Sequence, residues 1–288
     1  MSPFIRDWLF EWQFWPQIIL SLLGLAFIYG LGWWRLRQKG AYRLANGWRL
    51  ASFLGGLAAL WLAMISFIEV LQEFLFSVHM VQHILIAMVG PPLLLLADPL
   101  PFLLWGLPLN ARRAVGLFLA RKSPYRRYLK RLSAPWLVWG LYVLAQWGWH
   151  TPAAYDAALR HEVFHILEHT SYFVTAMLFW WHVSGSAPRL HGRLSYGLRM
   201  GYLLSALVPN EILGVVISLA GQPIYTHYTS VPRVSSLSVM DDQMLGGALM
   251  WVPGGMMYAL GAVVLLARML EQEERAAQKA ALDARVEK

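Results

Sequence analysis

The feature that most limits the fold of this 288-residue chain is a succession of apolar blocks, mostly about 20 residues long. That is the length a helix needs to cross a bilayer. The blocks run from about Trp15 to Trp34, Trp48 to about Ile68, about Phe74 to Ala97, and Pro135 to about His150. They continue from about Glu162 to Val183, Leu194 to Ala220 and Asp241 to about Leu270. A membrane barrel would show shorter segments of alternating polarity, and no such repeat is present. Charged residues make up only 14% of the chain, against about 25% in an ordinary soluble domain. The expected fold is an all-α, polytopic membrane helical bundle with about seven transmembrane helices. Residues 1–270 read as a single transmembrane helical domain, and 271–288 as a charged cytoplasmic helical tail.

Between the blocks, proline and charge set the punctuation. Pro91-Pro92 should kink or end the third span near Gly90. Pro99 to Pro108 is apolar but too short to cross, which predicts an interfacial or re-entrant piece. Arg112 to Arg131 interleaves basic and apolar residues and reads as an amphipathic helix on the membrane surface. The net charge of +8 is concentrated in such connections, so it meets membrane lipids rather than nucleic acid. With the N-terminus outside and seven crossings, 21 of the 24 Lys and Arg residues fall on the inner side. Only Arg6, Arg160 and Arg233 stay outside, a partition that fits the positive-inside rule and places the C-terminus in the cytoplasm. The first residues lack a basic region followed by a small-residue cleavage site, so no removable signal peptide is expected. There is no cysteine, which excludes disulfides and thiolate ligands.

The nine histidines were not needed to build this topology, yet most collect on its outer side. His79 and His83 share one face of the third span, four residues apart. His150 closes the fourth span. His161, His165 and His169 open the fifth at the same spacing, and His227 sits in an outer loop. His83 and His169 should lie about 10–14 Å below the outer helix ends, with Asn210 and Glu211 at similar depth on the sixth. Polar groups at such depth face the bundle interior and partner one another. Imidazoles with nearby carboxylates and no thiolates suit copper, zinc or iron. The metal candidates are His79, His83, His165, His169, His161, His150 and Asp242. Glu168, Tyr172 and Asp156 are candidate acceptors that fix imidazole tautomers, and Glu211 is a candidate for tuning or gating.

Plainer readings accompany each residue. One intramembrane histidine is often a hydrogen-bonded packing residue, whereas two same-face sets at matching depth are hard to assign to packing. Asp241 is better read as a helix cap, and for Asp242 cap and ligand both stand. His182 and His191, at the inner face, read as interfacial. Most of the twelve methionines fall in apolar helices where packing is the default, leaving Met80, Met240 and Met244 as weak thioether candidates.

Laid out in order, these segments resemble a known family. His79-Met80-Val81-Gln82-His83, Gly90-Pro91-Pro92-Leu93-Leu94 and Asp98-Pro99 are similar to the CtaG family of bacterial cytochrome c oxidase assembly factors. The likeness continues through Trp149-His150-Thr151-Pro152, Tyr155-Asp156-Ala157-Ala158-Leu159, His161-Glu162-Val163-Phe164-His165, Glu168-His169 and Phe179-Trp180-Trp181. It ends with Pro223-Ile224-Tyr225, Asp242-Gln243-Met244-Leu245-Gly246-Gly247 and Met250-Trp251-Val252-Pro253-Gly254. His182 departs from the pattern, which has proline after the Trp-Trp pair. An unrelated single-span copper chaperone that shares the family's name uses cysteines, which this chain lacks.

The resemblance implies a role in maturing a heme-copper oxidase in the bacterial cytoplasmic (inner) membrane, through copper supply. Heme-copper oxidase subunits or a periplasmic copper chaperone would be the partners. The histidine cluster would face the periplasmic or extracellular side. On this reading the chain is a metallochaperone rather than an enzyme. The rivals are a membrane oxidoreductase with a dinuclear metal site, a heme-binding electron carrier with one axial histidine from each of two helices, and a copper transporter.

Overall fold

The computed structural model describes residues 12, 14–192 and 194–286. Arg6, Arg193 and Lys288, which entered the charge partition, lie outside the described residues. The described residues form helices and connections, with no strand among them.

Helix α1 (Pro16–Gln38) is followed by α2 (Gly47–Ile65), which Asn46 caps by accepting from the backbone N–H of Arg49 at 2.9 Å. Ser66 interrupts the helix, and the chain resumes as the short α3 (Phe67–Leu71). Next come α4 (Phe76–Ile84), a π-helical turn (Leu85–Val89) and α5 (Gly90–Leu96). Then follow α6 (Pro99–Gly106), α7 (Leu109–Phe118), α8 (Pro124–Leu132), α9 (Pro135–Trp149), α10 (Pro152–Arg160) and α11 (Glu162–Ser184). Proline opens α6, α8, α9 and α10, where its missing N–H costs nothing and its fixed φ favours the first turn. The chain closes with α12 (Tyr196–Ser218), α13 (His227–Ser230) and the long α14 (Val239–Val286).

Five segments are long and apolar enough to cross a membrane: Pro16–Gln38, Gly47–Leu71, Phe76–Leu96, Tyr196–Ser218 and Val239–Asp283. The other two expected spans are present as helices but fall short of that measure. Helix α9 has 15 residues, about 22 Å of rise, less than the hydrocarbon thickness of about 30 Å. Helix α11 has 23 residues but carries Glu162, His165, Glu168 and His169. Large apolar side chains point away from the bundle on α1 (Leu20, Phe27), α11 (Ile166, Leu167), α12 (Val208, Val216) and α14 (Met256, Val263). An apolar exterior this extensive is matched by a lipid surrounding. Where α12 meets α14, a side chain on Gly247 would sit 2.6 Å from the Ser218 nitrogen, so only glycine allows that approach.

One sequence expectation is narrowed and one needs correction. Of the kink or end expected near Gly90, the end does not occur: the third span continues to Leu96. A proline cannot donate to the carbonyl four residues back and its ring clashes there, which for Pro91 is Ala87. The π turn relieves this: the Gly90 N–H bonds to Leu85 five residues back, and the Ala87 carbonyl accepts the Trp180 indole N–H from α11 at 3.0 Å. The basic stretch is two helices, α7 and α8, not one, and neither has a buried residue. The Pro99–Pro108 piece is mostly α6, packed along α1 with Phe102 fully buried.

Trp180→Phe removes the indole donor and leaves the Ala87 carbonyl buried and unpaired. It should lower stability by about 1–3 kcal/mol, read as earlier unfolding in detergent. An unchanged unfolding midpoint would show that the carbonyl does not need this donor.

Candidate metal centre

Helix α4 carries the first two histidines, and its start is fixed from far along the chain. Asp242 of α14 accepts from the backbone N–H of Phe76 at 2.9 Å, from that of Ser77 at 3.1 Å and from the Ser77 hydroxyl at 2.6 Å. A carboxylate at a helix N-terminus satisfies otherwise orphaned donors and complements the helix dipole. Asp242 is therefore a cap borrowed by a neighbouring helix, the first of its two sequence readings, and it belongs to neither group of converging ligand atoms. Asp241 caps α14 itself, paired reciprocally with Ser238.

From that anchored start, His79 and His83 point into the bundle, where α11 presents Glu168 and His169. His79 Nε2 lies 3.8 Å from one Glu168 oxygen, and His83 Nε2 lies 3.5 Å from the other. The imidazole rings of His79 and His83 are 4.3 Å apart, and that of His169 is 5.8 and 5.6 Å from them. All four residues are buried, and one ligand atom from each lies within 4.8 Å of the others. Ligands of a tetrahedral ion at about 2.1 Å stand about 3.4 Å from each other, so the closest contacts here are already near coordination spacing.

The polar accounting is the decisive local observation. His79 Nε2, both nitrogens of His83, His169 Nε2 and both oxygens of Glu168 have no hydrogen-bond partner among the described residues. Buried polar atoms are rarely left so, and an unpaired buried carboxylate is the costliest case. Nitrogen and carboxylate lone pairs converging from two helices fit a transition-metal ion.

A tyrosine chain sets the direction of His79. Tyr228 donates to the Gln72 carbonyl at 3.0 Å, so the Tyr155 hydroxyl donates to Tyr228 at 3.2 Å. Tyr155 then accepts from His79 Nδ1–H at 2.8 Å, and Nε2 is left with its lone pair toward Glu168. Burial pushes both hydroxyls well above the ordinary tyrosine range, so they stay protonated donors. His150 is fixed similarly: its Nδ1 donates to the Gln146 carbonyl at 2.7 Å, and Nε2 is buried without a partner among the described residues.

Other candidates take varied places. His150 lies beside the group, its ring 5.9 Å from that of His83, and Tyr172 lies between them, 4.4 Å from the His83 ring and 2.9 Å from His150 Nδ1. His165 stands toward the open end, its ring 4.1 Å from that of His169. His161 is an exposed residue at the start of α11 that meets Phe164 and does not join the cluster. Glu211 lies against Gly255 of α14, apart from the histidines. Asp156 accepts from Thr226 and from the His227 N–H, binding α10 to the start of α13 rather than orienting an imidazole. Met80 lines a small cavity of about 20 Å³ with His83 and His150, whereas Met244 is exposed. At the opposite end, His182 and His191 both bond to Ser133, at 2.8 and 3.0 Å.

Glu168 was read as an orienting acceptor; its oxygens converge with nitrogens of His79, His83 and His169 in a group that could hold a metal ion, while the hydrogen bonds to His79 and His150 come from Tyr155 and the Gln146 carbonyl. The sequence reading passed over Glu69, whose carboxylate groups with His165 and His169. Its signal was present: an isolated acid inside the apolar run Ser66 to Leu71.

Residues 27–272 match the model of the cytochrome c oxidase caa3 assembly factor family (Caa3_CtaG). The chain belongs to that family. The matched region of this Caa3_CtaG chain contains every residue of the buried group. The chain is 27% identical over 288 residues to an uncharacterized protein of Mycobacterium bovis, covering 96% of this chain and 42% of that protein. It is 25% identical over 285 residues to an uncharacterized protein of Mycobacterium leprae, covering 92% and 40%. It thus spans about two fifths of the length of these curated relatives. No solved structure shows a significant match.

Asp242→Ala should lower stability by about 1–2 kcal/mol through loss of the α4 cap. Metal bound per folded chain should be unchanged, as measured by elemental analysis of the monodisperse fraction. Loss of metal from well-folded Asp242→Ala would return this residue to the ligand set.

Proposed function

We propose that this Caa3_CtaG protein binds copper through His79, His83, Glu168 and His169 and supplies it to a metal centre of a heme-copper oxidase. The observation that carries the reading is the convergence of unpartnered imidazole nitrogens and carboxylate oxygens in a buried group. Copper is cargo here: the histidines and Glu168 hold it, Tyr155 keeps the His79 lone pair facing it, and the bundle excludes water. An ion held between α4 and α11 is released when those helices separate slightly, since no single helix supplies all the donors. Recipients would be an oxidase subunit or a periplasmic copper chaperone.

The same proposal includes the arrangement in the bacterial inner membrane. It has about seven spans with α9 and α11 crossing beside the five segments given above, the N-terminus outside and the C-terminus in the cytoplasm. Residues 1–270 form the membrane domain and 271–288 the charged tail. The distribution of 21 of the 24 basic residues supports it, and it turns the histidine end toward the periplasmic or extracellular side.

Metal analysis of detergent-purified protein loaded with copper should find copper retained by the wild type. His83→Ala and His169→Ala should each weaken retention by about tenfold or more. Retention should also fall as the solution is acidified, because protons compete with the ion for the imidazole nitrogens. Equal copper in wild type and both variants would refute the site.

The absence of native cysteine permits a direct topology test. In intact cells, a membrane-impermeant maleimide should label Thr229→Cys and leave Ser123→Cys unlabelled until the membrane is opened. The reverse pattern would overturn the orientation.

A further inference from the structure

Beside the buried group lies a second set of ligating side chains. The break at Ser66 re-aims the chain: its hydroxyl accepts from the Ile68 N–H at 3.2 Å, and the short α3 then directs Glu69 toward α11. Gln82 of α4 donates both to a Glu69 oxygen and, at 2.8 Å, to the Ala63 carbonyl, which holds the carboxylate in place. Glu69, His165 and His169 each offer a ligand atom, all within 4.8 Å of one another. His165 Nε2 is buried and has no hydrogen-bond partner among the described residues.

Two properties relate this set to the deeper one. Glu69 and His165 are only partly buried, whereas His79, His83, Glu168 and His169 are all buried, so the second set is the more accessible. His169 belongs to both. We infer that Glu69, His165 and His169 form an entry position for the metal ion, which exchanges with the deep position by ligand replacement around His169. This rests on the copper reading above.

The exchange balances without redox chemistry. The ion gives up a Glu69 oxygen and a His165 nitrogen, gains donors from His79, His83 and Glu168, and keeps His169 throughout. Each position supplies one carboxylate, so the cation meets a negative partner both on arrival and at depth. An ion moved into a low-dielectric interior without such a partner would face a large desolvation cost.

The test follows loading of the full chain in detergent with Cu²⁺ alone, monitored by tryptophan fluorescence after rapid mixing and by equilibrium titration. Glu69→Gln and His165→Ala each remove a donor private to the entry position. Both variants should retain one copper per chain with affinity within about threefold of wild type, while loading and release slow together by about tenfold or more. Equal slowing is required because an entry position changes the path and not the end state.

Circular dichroism confirms that each variant is folded, and the two substitutions on different helices check one another. Wild-type loading rates in both variants would overturn the inference and leave the copper site standing. Loss of equilibrium binding in folded variants would overturn it by making these residues part of the final site. Two coppers per chain at saturation would overturn the exchange in favour of simultaneous occupancy. No copper on the wild type would remove both this inference and the reading on which it rests.

Discussion

The structure is organised around a buried carboxylate to which nothing donates among the described residues. Glu168 is fully buried, both its oxygens lack hydrogen bonds among the described residues, and imidazole nitrogens face it from another helix. An isolated ionised carboxylate in such a place costs several kcal/mol and persists only with a proton or a cation beside it. Imidazoles whose lone pairs face the same point are electron donors, and a metal ion satisfies all these groups together. The arrangement therefore makes chemical sense as a binding site in a way that it does not as packing.

Holding those lone pairs in register requires supports that lie outside the group. Helix α4 is anchored by Asp242 from α14, and its far half is set by a π turn whose freed carbonyl is taken by Trp180 of α11. The segment that carries His79 and His83 is thus tied to α14 at its start and to α11 beyond its end. The tyrosine chain from Gln72 through Tyr228 and Tyr155 to His79 fixes one imidazole, and the Gln146 carbonyl fixes His150. Such restraints narrow the geometry of the converging donor atoms, and on the proposed copper reading they would leave small helix displacements as the means of release.

Much of this was legible in the chain itself, and the parts that were not share a cause. Apolar block length gave the helices, and the i, i+4 histidines gave the two faces that meet. Helical spacing also put Glu168 three residues from His165, yet only the packed bundle shows it facing His79 and His83. Asp242 caps a helix some 165 residues earlier in the chain, a pairing that no local pattern encodes. The proline pair left kink and end both open because the rescue of its freed carbonyl comes from an indole on another helix. Glu69 was missed because a single acid near a block end resembles an interfacial residue. Helix α9 is proposed as a span from its position in the charge alternation, not from its own length.

The most direct measurement of the central claim is X-ray absorption at the copper edge of the loaded protein. The account predicts nitrogen and oxygen neighbours at about 2.0 Å. It also predicts outer-shell scattering from the imidazole rings of His79, His83 and His169, with no sulfur. A sulfur neighbour at about 2.3 Å, or an ion surrounded by oxygen without imidazole scattering, would contradict it.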